Sequence, residues 1–426
     1  MSSSLRATIA DRFRSLRHRD FRLFWSGQLI SLMGTWMQTV AQGWLMHRLT
    51  DSPAMLGLLG FAQFIPVTIF SLFAGVLADR MDKRKLIFIT QSFAMLQAVA
   101  MALVVTLGVV QPWMILVLAF VLGTVNAFDL PGRQSYFIEM VGRDDLSNAI
   151  ALNSAAFNIA RVLGPAVAGI LVGWVGEQAC FWVNAASFVA VIASLMMIRT
   201  PSRPTAVGGL RETIDTLGEG IRYALDVTPI RNLLLLLGFA AGLGFQYMVL
   251  LPVYARDVLH VGPREFGLMV STFGLGSLLA AVAMTRRMDR WTLRRSLLVG
   301  LLASGIGMAV FAWSRSLALT LAMGLMAGYG LITYVATTNM LLQLTTEDRF
   351  RGRIMSLYTF MFIGTSPFGA LLCGWIAQRW GAPPATSLCA LILLSGALWM
   401  SYRLRILAAR ETARTPVAPD AEAPGG

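Results

Sequence analysis

Two charged side chains stand inside long apolar stretches of this sequence, where they could bind or exchange ions. Arg161 lies in the stretch 147–174, and Asp129 lies in the stretch 113–134. A charge at the centre of a bilayer costs at least about 2.5 kcal/mol, so it should face a cavity or a partner. Arg161 could bind an anionic or catecholate-bearing ligand, or it could be structural and contact carbonyls and Asn126. Asp129 could carry a proton, or it could serve in an ion pair.

Uncharged polar side chains occur in other apolar stretches. Four of them could line a pathway or bridge two helices by hydrogen bonds: Gln38, Gln42, Gln246 and Tyr334. No GxxxxGK[ST] loop, HExxH pair or nucleophile elbow is present. The three cysteines also lie in apolar stretches, which argues against a zinc site or a disulfide framework. We therefore expect neither an enzyme, nor a metal site, nor a cofactor.

The composition predicts an all-α membrane protein. Only 13% of the 426 residues are charged and 56% are hydrophobic, whereas about a quarter of residues are charged in soluble proteins. A helix needs roughly 20 apolar residues to cross a bilayer. Twelve stretches qualify: 21–46, 54–78, 86–109, 113–134, 147–174, 180–198, 232–255, 265–285, 296–314, 317–341, 353–378 and 384–404. The first twenty residues are polar and basic, so we expect no cleavable signal peptide.

The distribution of positive charge predicts the topology. Of the 35 Lys and Arg residues, 29 fall on the side of the membrane that holds both termini. The positive-inside rule places that side in the cytoplasm. The net charge of +13 then reflects topology and not a nucleic-acid partner. The predicted organisation is a cytoplasmic N-terminus (1–20), a six-helix bundle (21–198), a cytoplasmic linker (199–231), a second six-helix bundle (232–407) and a disordered cytoplasmic tail (408–426).

The linker contains a predicted amphipathic helix. Apolar residues recur at helical spacing at Leu210, Ile214, Leu217, Ile221 and Leu225. This pattern is typical of a helix on the membrane surface. It could tether the two bundles or regulate them.

The two halves of the chain repeat weakly. ADRMDKRKL after the second segment matches TRRMDRWTL after the eighth, and GILVGWVG in the fifth matches ALLCGWIA in the eleventh. Six helices in each half with related loops predict two bundles with pseudo-twofold symmetry. In such transporters the substrate site lies near the bilayer midplane between the repeats.

These features are similar to those of the major facilitator superfamily over essentially the full length. GVLADRMDKRK (75–85) resembles the signature of its loop between helices 2 and 3. The stretches RDFRLFWSGQLIS, LTDSPAMLGLLG, FDLPGRQSYF, FNIARVLGPAVAG and GIRYALDVTPIRNLLLL resemble bacterial exporters of the enterobactin-exporter type, which include siderophore and multidrug exporters. The resemblance implies a bacterial inner-membrane protein. It departs from the family at Asp82, where glycine is frequent.

The resemblance implies that the charged loop is a cytoplasmic gate. Asp79 adds nothing to the positive-inside rule, and it would face the start of the eleventh helix near Gly352 and Arg353. Lys83 or Arg84 would pair with Asp129. Gly75 would allow the facing helix to approach closely. The gate residues expected are Gly75, Asp79, Arg80, Lys83, Arg84 and Arg353; the alternative role of the bases is a topology anchor.

ARVLGPAVAG (160–169) resembles a fifth-helix motif of proton-antiporting exporters, with Gly164, Pro165 and Gly169. Its alternative role is ordinary packing of a helix kinked by proline.

Together these expectations describe a monomeric secondary transporter in the lipid bilayer. It would export a small amphipathic molecule, siderophore-like or drug-like, in exchange for protons and by alternating access. Two alternatives are an uptake permease for a nutrient or lysolipid on the same scaffold, and a non-transporting membrane sensor.

Overall fold

The computed structural model describes residues 13–202, 210–284 and 289–412. For Leu72, Asp79, 210–216 and 404–412 it describes the main chain alone. Helices account for nearly all of these residues, and none of them lies in a strand. The predicted N-terminal segment and the predicted tail fall largely outside these ranges.

The first bundle is built from five continuous helical runs. A short 3-10 turn, Arg14–Arg17, precedes them. The runs are α1 (Arg19–Thr50), α2 (Pro53–Arg80), α3 (Lys83–Thr106), α4 (Pro112–Val175) and α5 (Glu177–Met197). α1 packs against α4 and α5, α2 packs against α4, and α3 packs against α5.

The second bundle follows the linker helix α6 (Leu210–Asp226). Its helices are α7 (Thr228–Val258), α8 (Pro263–Ala283), α9 (Arg290–Trp313), α10 (Leu317–Thr345), α11 (Asp348–Trp380) and α12 (Ala382–Thr412). α10 packs against α8 and α9, and α9 packs against α12.

The long run α4 contains the fourth and fifth predicted segments. The loop expected between them, 135–146, is helical instead. The helix is broken at Gly142, whose φ of 74° lies in the left-handed region. Glycine adopts such angles without steric penalty, so a single non-helical residue divides the run into two helices.

Counting α4 twice, the described helices supply the twelve predicted spans. Ten helical stretches in the described part of the chain, including all of α4 as one, are long and apolar enough to cross a membrane. α1 is not among them, because it carries several polar side chains, including Gln28, Gln38 and Gln42. Its 32 residues nevertheless extend about 48 Å at 1.5 Å per residue, enough to cross a bilayer. Its polar residues are buried in the bundle, so they need not meet lipid.

Two helices of the second bundle are interrupted. α7 contains π-helical turns at Ala240–Gly244 and Tyr254–Val258, and α11 contains one at Phe360–Gly364. The two interruptions meet, since Thr365 Oγ1 after the turn in α11 lies 3.5 Å from the carbonyl oxygen of Gly238 in α7. π-helical turns are frequent at functional sites, so this contact marks a region where the second bundle can bend.

Side chains define the helix ends on the side that holds both termini. Asp82, the departure from the family signature, accepts a hydrogen bond from the amide of Lys85 at 3.0 Å and so caps α3. Asp20 accepts bonds from the amides of Arg199 and Thr200 and from the Thr200 hydroxyl. Burial alone would raise the pKa of Asp20, but these bonds outweigh it and lower the pKa below its ordinary value. Asp20 thus ties the start of α1 to the chain that leaves α5.

The linker helix α6 docks on the second bundle. The Tyr223 ring stacks on Phe350 at 4.1 Å between centroids, and Gly220 lies against Arg353. Ile221 and Leu225 of the predicted apolar face are exposed, as expected for residues that meet the membrane surface. The side chains of Leu210 and Ile214 lie outside the described residues.

The last helix is longer than expected. α12 runs to Thr412, five residues into the stretch assigned to a disordered tail. Residues 413–426 lie outside the described part of the chain.

Candidate functional site

The two bundles touch closely on one side of the membrane. The helices alternate in direction. We call the side of the membrane that holds both termini the terminal side and the opposite side the far side. Four far-side turns are at 51–52, 176, 259–262 and 381. A Cβ built on Gly57 would lie 2.9 Å from the Cα of Gly374, and one on Gly267 would lie 2.9 Å from the Cα of Gly169. Gly57 and Gly267 are each the fifth residue after a far-side turn. Their partners Gly374 and Gly169 are each the seventh residue before a far-side turn. The pairs are therefore related by the pseudo-twofold symmetry.

The terminal side lacks such contacts at the gate glycines. A Cβ on Gly75 of α2 or on Gly352 of α11 would meet no atom of the described residues within 4 Å. We expected Gly75 to allow close approach of a facing helix, and no helix approaches it here. The bundles are thus closed together on the far side and separated on the terminal side, at least around α2 and α11.

The central helices α1 and α7 show the same asymmetry in burial. No residue of 37–47 or 240–255, in their far halves, is exposed. In the terminal halves, Ser26, Ile30, Leu235 and Phe239 are exposed. The space between the bundles therefore opens to the terminal side and closes near the membrane centre.

Arg161 lies where this space closes. Ser154, Phe157 and Arg161 share one face of α4, opposite to the exposed Leu163 and Val167. Along this face the exposed fraction falls from 42% at Phe157 to 9% at Arg161. The next residues on it, Gly164 and Ala168, are buried against other helices.

The Arg161 guanidinium is incompletely satisfied. Its Nη2 donates to Asn158 Oδ1 at 2.8 Å, and its Cζ lies 5.8 Å from the centroid of the Phe157 ring. The Trp36 ring lies edge-on to Phe157 at 5.8 Å. Arg161 Nε is buried and has no hydrogen-bond partner among the described residues. A cation with a free donor beside the Phe157 ring can bind an anionic or aromatic ligand.

Asn126 is not the partner of Arg161 that the sequence suggested. It lies half-buried on the first part of α4, whereas Asn158 is one helical turn from Arg161 and so bonds it within the same helix. The spacing of three residues between Asn158 and Arg161 could have predicted this contact from the sequence.

Gln38 and Gln42 join helices of the first bundle. Gln38 donates to Gln97 of α3 at 3.0 Å and accepts from Asn184 of α5 at 2.7 Å. Gln42 donates to the carbonyl of Ile115 on α4 at 3.4 Å. Both are almost fully buried, so this conformation uses them as bridges between helices and not as pathway lining.

Gln246 and Tyr334 are likewise buried in the second bundle. Gln246 Nε2 donates to the carbonyl of Ala241 at 3.1 Å, across the first π-helical turn of α7. The Tyr334 hydroxyl donates to the carbonyl of Leu236 at 3.1 Å and joins α10 to α7. Both groups satisfy carbonyls beside the interruption in α7.

Asp129 is buried in an ion pair within the first bundle. It pairs with Arg133, one turn later on α4, and accepts hydrogen bonds from Thr90 at 2.7 Å and Gln91 at 2.9 Å on α3. These contacts stabilise the ionised carboxylate. We expected Lys83 or Arg84 as its partner; Arg133 takes that place because it lies one helical turn away on the same face.

The bases of the charged loop bind inside the first bundle. Lys83 Nζ lies 2.5 Å from Glu139 on α4, and its amide donates to Ser202 at 2.8 Å. Arg84 donates to the carbonyls of Leu195 and Met196 at the end of α5. Sequence reasoning missed Glu139 because it predicted a loop at 135–146, and a loop assignment does not show which way a side chain points.

The gate residue Arg353 binds the linker helix in this conformation. Arg353 Nη1 pairs with Glu219 of the linker helix at 2.6 Å, and its Cζ lies 5.2 Å from the Phe350 ring. Arg80, at the end of α2, is exposed. The side chain of Asp79 lies outside the described residues.

The fifth-segment motif brings three helices together. A Cβ on Gly164 would lie 2.7 Å from Cβ of Trp36 on α1, and one on Gly169 would lie 2.6 Å from the carbonyl oxygen of Pro263 on α8. The carbonyl of Pro165 faces Gly267. The motif thus forms part of the far-side contact between the bundles.

Charged residues at the far side were missed by sequence reasoning. His47 and Asp51 of the first bundle contact Asp257 and Arg256 of the second. All four fall outside the predicted spans, and nothing local shows that residues about 210 apart in sequence meet.

Comparisons with known proteins agree with this architecture. The profile of the family described as "Transmembrane secretion effector" matches residues 10–423. The chain is 26% identical to the multidrug efflux pump Tap of Mycolicibacterium fortuitum, over 82% of this chain and 87% of that one. It is 24% identical to the staphyloferrin A transporter of Staphylococcus aureus, over 84% and 90% of the two chains.

Solved structures share the fold. The nucleoside transporter NupG superposes with a TM-score of 0.70 at 12% identity, over 90% of this chain and 98% of that one. A bacterial homologue of the human lysosomal transporter Spinster, in an inward-facing unoccupied conformation, superposes with a TM-score of 0.69 at 14% identity, over 92% and 97%. The chain belongs to the transmembrane secretion effector family of the major facilitator superfamily, whose members are membrane transporters and not enzymes.

Proposed function

We propose that this transporter exports a small amphipathic anion or catechol-bearing molecule across the bacterial inner membrane in exchange for protons. A monomer suffices, because one chain contains both bundles. The observation that carries the proposal is Arg161, with its unpartnered Nε, at the closed end of a space that opens to the terminal side.

Topology and relatives support the proposed direction. The positive-inside rule makes the terminal side cytoplasmic, so the described conformation is inward-open. In this state Phe157, about one turn before Arg161, is 42% exposed, so a cytoplasmic molecule can approach the end of the space where Arg161 lies. One relative is named as a multidrug efflux pump, which supports export.

The chemistry of the site favours an anion. Within the described residues of the second bundle, no charged side chain lies in the middle of a span, so Arg161 dominates the local field. The Phe157 and Trp36 rings beside it supply apolar contact for the remainder of an amphipathic ligand. A guanidinium can bind two adjacent oxygens at once, as a carboxylate or catecholate presents them.

Transport into inverted membrane vesicles tests this proposal. The probes are 2,3-dihydroxybenzoate, a catechol-bearing anion, and ethidium, a lipophilic cation, each with and without a protonophore. We expect uptake of the anion into inverted vesicles that stops when the protonophore collapses the gradient. Accumulation of the anion in right-side-out vesicles instead would show that the protein imports its substrate. Uptake of ethidium alone would show that the substrate is not an anion.

Arg161 variants test the site itself. Arg161→Ala removes the charge and the planar fork, whereas Arg161→Lys keeps the charge alone. We expect both to fold, with anion affinity falling more for Ala, by about tenfold or more if a charge-assisted bond of 1.5–3 kcal/mol is lost. A folded Ala variant with unchanged transport per molecule would show that Arg161 does not bind the substrate.

A further inference from the structure

Two charged contacts cross between the bundles at the far side. His47 Nε2, at the end of α1, lies 2.9 Å from Asp257 Oδ2 of α7. Arg256 Nη1 of α7 lies 2.7 Å from Asp51 Oδ1, which follows α1. Both contacts must break if the bundles separate on this side.

His47 and Asp257 differ in their access to water. The His47 side chain is 1% exposed, whereas that of Asp257 is 47% exposed in the π-helical turn Tyr254–Val258. Solution on the far side therefore reaches the carboxylate but not the ring.

The charges around His47 leave room for one proton. Arg256 pairs with Asp51, and Arg48, on the next residue of α1, pairs with Glu177 of α5 at 2.8 Å. Arg256 also donates to the His47 carbonyl at 3.4 Å. Against these two neutral pairs, Asp257 is an additional negative charge that faces His47. A neutral ring leaves this cluster with one excess negative charge, and a protonated ring balances it.

The third histidine faces the same turn from outside. His260 is exposed, and its Nδ1 lies 3.2 Å from the carbonyl oxygen of Arg256. It therefore contacts main chain and no carboxylate, in contrast to His47.

The atom that can accept the proton is visible. His47 Nδ1 is buried and has no hydrogen-bond partner among the described residues. When Nε2–H donates to Asp257, the free lone pair is on Nδ1, and a proton that binds there makes the ring cationic. The contact with Asp257, already charge-assisted by the carboxylate, then becomes an ion pair between opposite charges.

We propose that His47 and Asp257 form a proton-binding site that exists only while the far side is closed. This inference rests on the alternating access of the proposed function. Because the ion pair between the protonated ring and Asp257 forms only in the closed state, proton binding and far-side closure favour each other. Histidine changes its charge between about pH 5 and pH 8. Acid on the far side therefore favours the inward-open state of the empty transporter.

The far-side distance between the bundles tests the site without transport. Spin labels are placed at Val109→Cys and Ser316→Cys, exposed residues of far-side turns in the first and second bundles. The three native cysteines are buried, which limits labelling to these two sites. Double electron–electron resonance in lipid nanodiscs then gives the ratio of closed to open populations at pH 5.5 and pH 8.0. We expect this ratio to fall about fivefold at the higher pH, at the lower end of measured couplings.

Matched variants assign the response to this pair. His47→Gln keeps a donor for Asp257 but binds no proton, and it should abolish the pH response; Asp257→Asn should do the same. His18→Gln removes a histidine that pairs with Asp145 at 2.8 Å inside the first bundle, and His260→Gln removes the exposed ring. Both controls should keep the full response. Asp257→Asn serves alone if His47→Gln does not fold.

Two outcomes would overturn the site: a wild-type ratio that is the same at both pH values, or a pH response that survives in Asp257→Asn. The proposed export is judged separately by the vesicle experiment. Export that ignores the protonophore would refute proton exchange yet leave a pH-dependent far-side distance intact. A pH-independent distance with protonophore-sensitive export would place the proton elsewhere in the protein.

Discussion

Replacing Gly57 by alanine should push the transporter out of its far-side-closed conformation. The added Cβ would lie 2.7 Å from the carbonyl oxygen of Ala370 and 2.9 Å from the Cα of Gly374. Both neighbours are backbone atoms of the other bundle, so no side chain can turn away. The helices α2 and α11 must separate by roughly 0.5 Å or more to restore ordinary contact distances.

The size of the effect follows from overpacking. Inserting a methyl group into a tightly packed contact costs typically about 1–3 kcal/mol. Since α2 and α11 belong to different bundles, this cost falls on the far-side-closed state and disappears when the bundles part there. The ratio of closed to open molecules should therefore fall about 5- to 150-fold.

The far-side distance between labels at residues 109 and 316 measures this ratio. Gly43→Ala is the matched control: its Cβ faces Pro252 of the other bundle at 3.6 Å, an ordinary contact. Both changes remove a helical glycine, so the gain of about 1 kcal/mol in helix propensity is common to the two. If Gly57→Ala and Gly43→Ala give the same distance distribution, the glycine contact does not control the conformation.

Three further outcomes are expected. Asp129→Asn should lower the melting temperature in detergent, because it leaves the buried Arg133 without its charge partner, at a cost of about 3–5 kcal/mol; Asp129→Asn with Arg133→Gln should recover part of it, and a normally stable single variant would contradict a structural role. Asp20→Asn should destabilise the protein at neutral pH. Because the folded-state pKa of Asp20 is lowered, its contribution is present above the ordinary aspartate pKa and is lost as the pH falls through the folded value; melting curves of wild type and variant should converge in acid, and a constant difference would count against it. Asp79→Asn should insert normally but transport slowly in a time-resolved assay, and a wild-type rate would eliminate the gate role of Asp79.

Much of the architecture follows from local sequence properties. Apolar stretches near the length of a bilayer predict the spans, since the cost of exposing charges to lipid acts on each residue separately. The same reasoning missed the helical connection 135–146, where polar residues suggested a loop and only Gly142 interrupts the helix.

The role of each polar residue in a span depends on tertiary contacts. Gln38 could have faced a pathway or another helix, and only the positions of Gln97 and Asn184 show that it bridges three helices. Arg161 could be recognised as costly from sequence, but its position at the end of the inter-bundle space depends on how α1 and α8 pack against α4.

Contacts between the bundles could not be predicted from the sequence. His47 and Asp257 each follow a span and look like ordinary loop residues. They meet because paired glycines let the two bundles approach at the far side. That approach is a property of two packed surfaces. The lengths and spacing of the apolar stretches determined the twelve predicted spans. Only the packing of one bundle against the other decided which side is closed and which charged residues meet there.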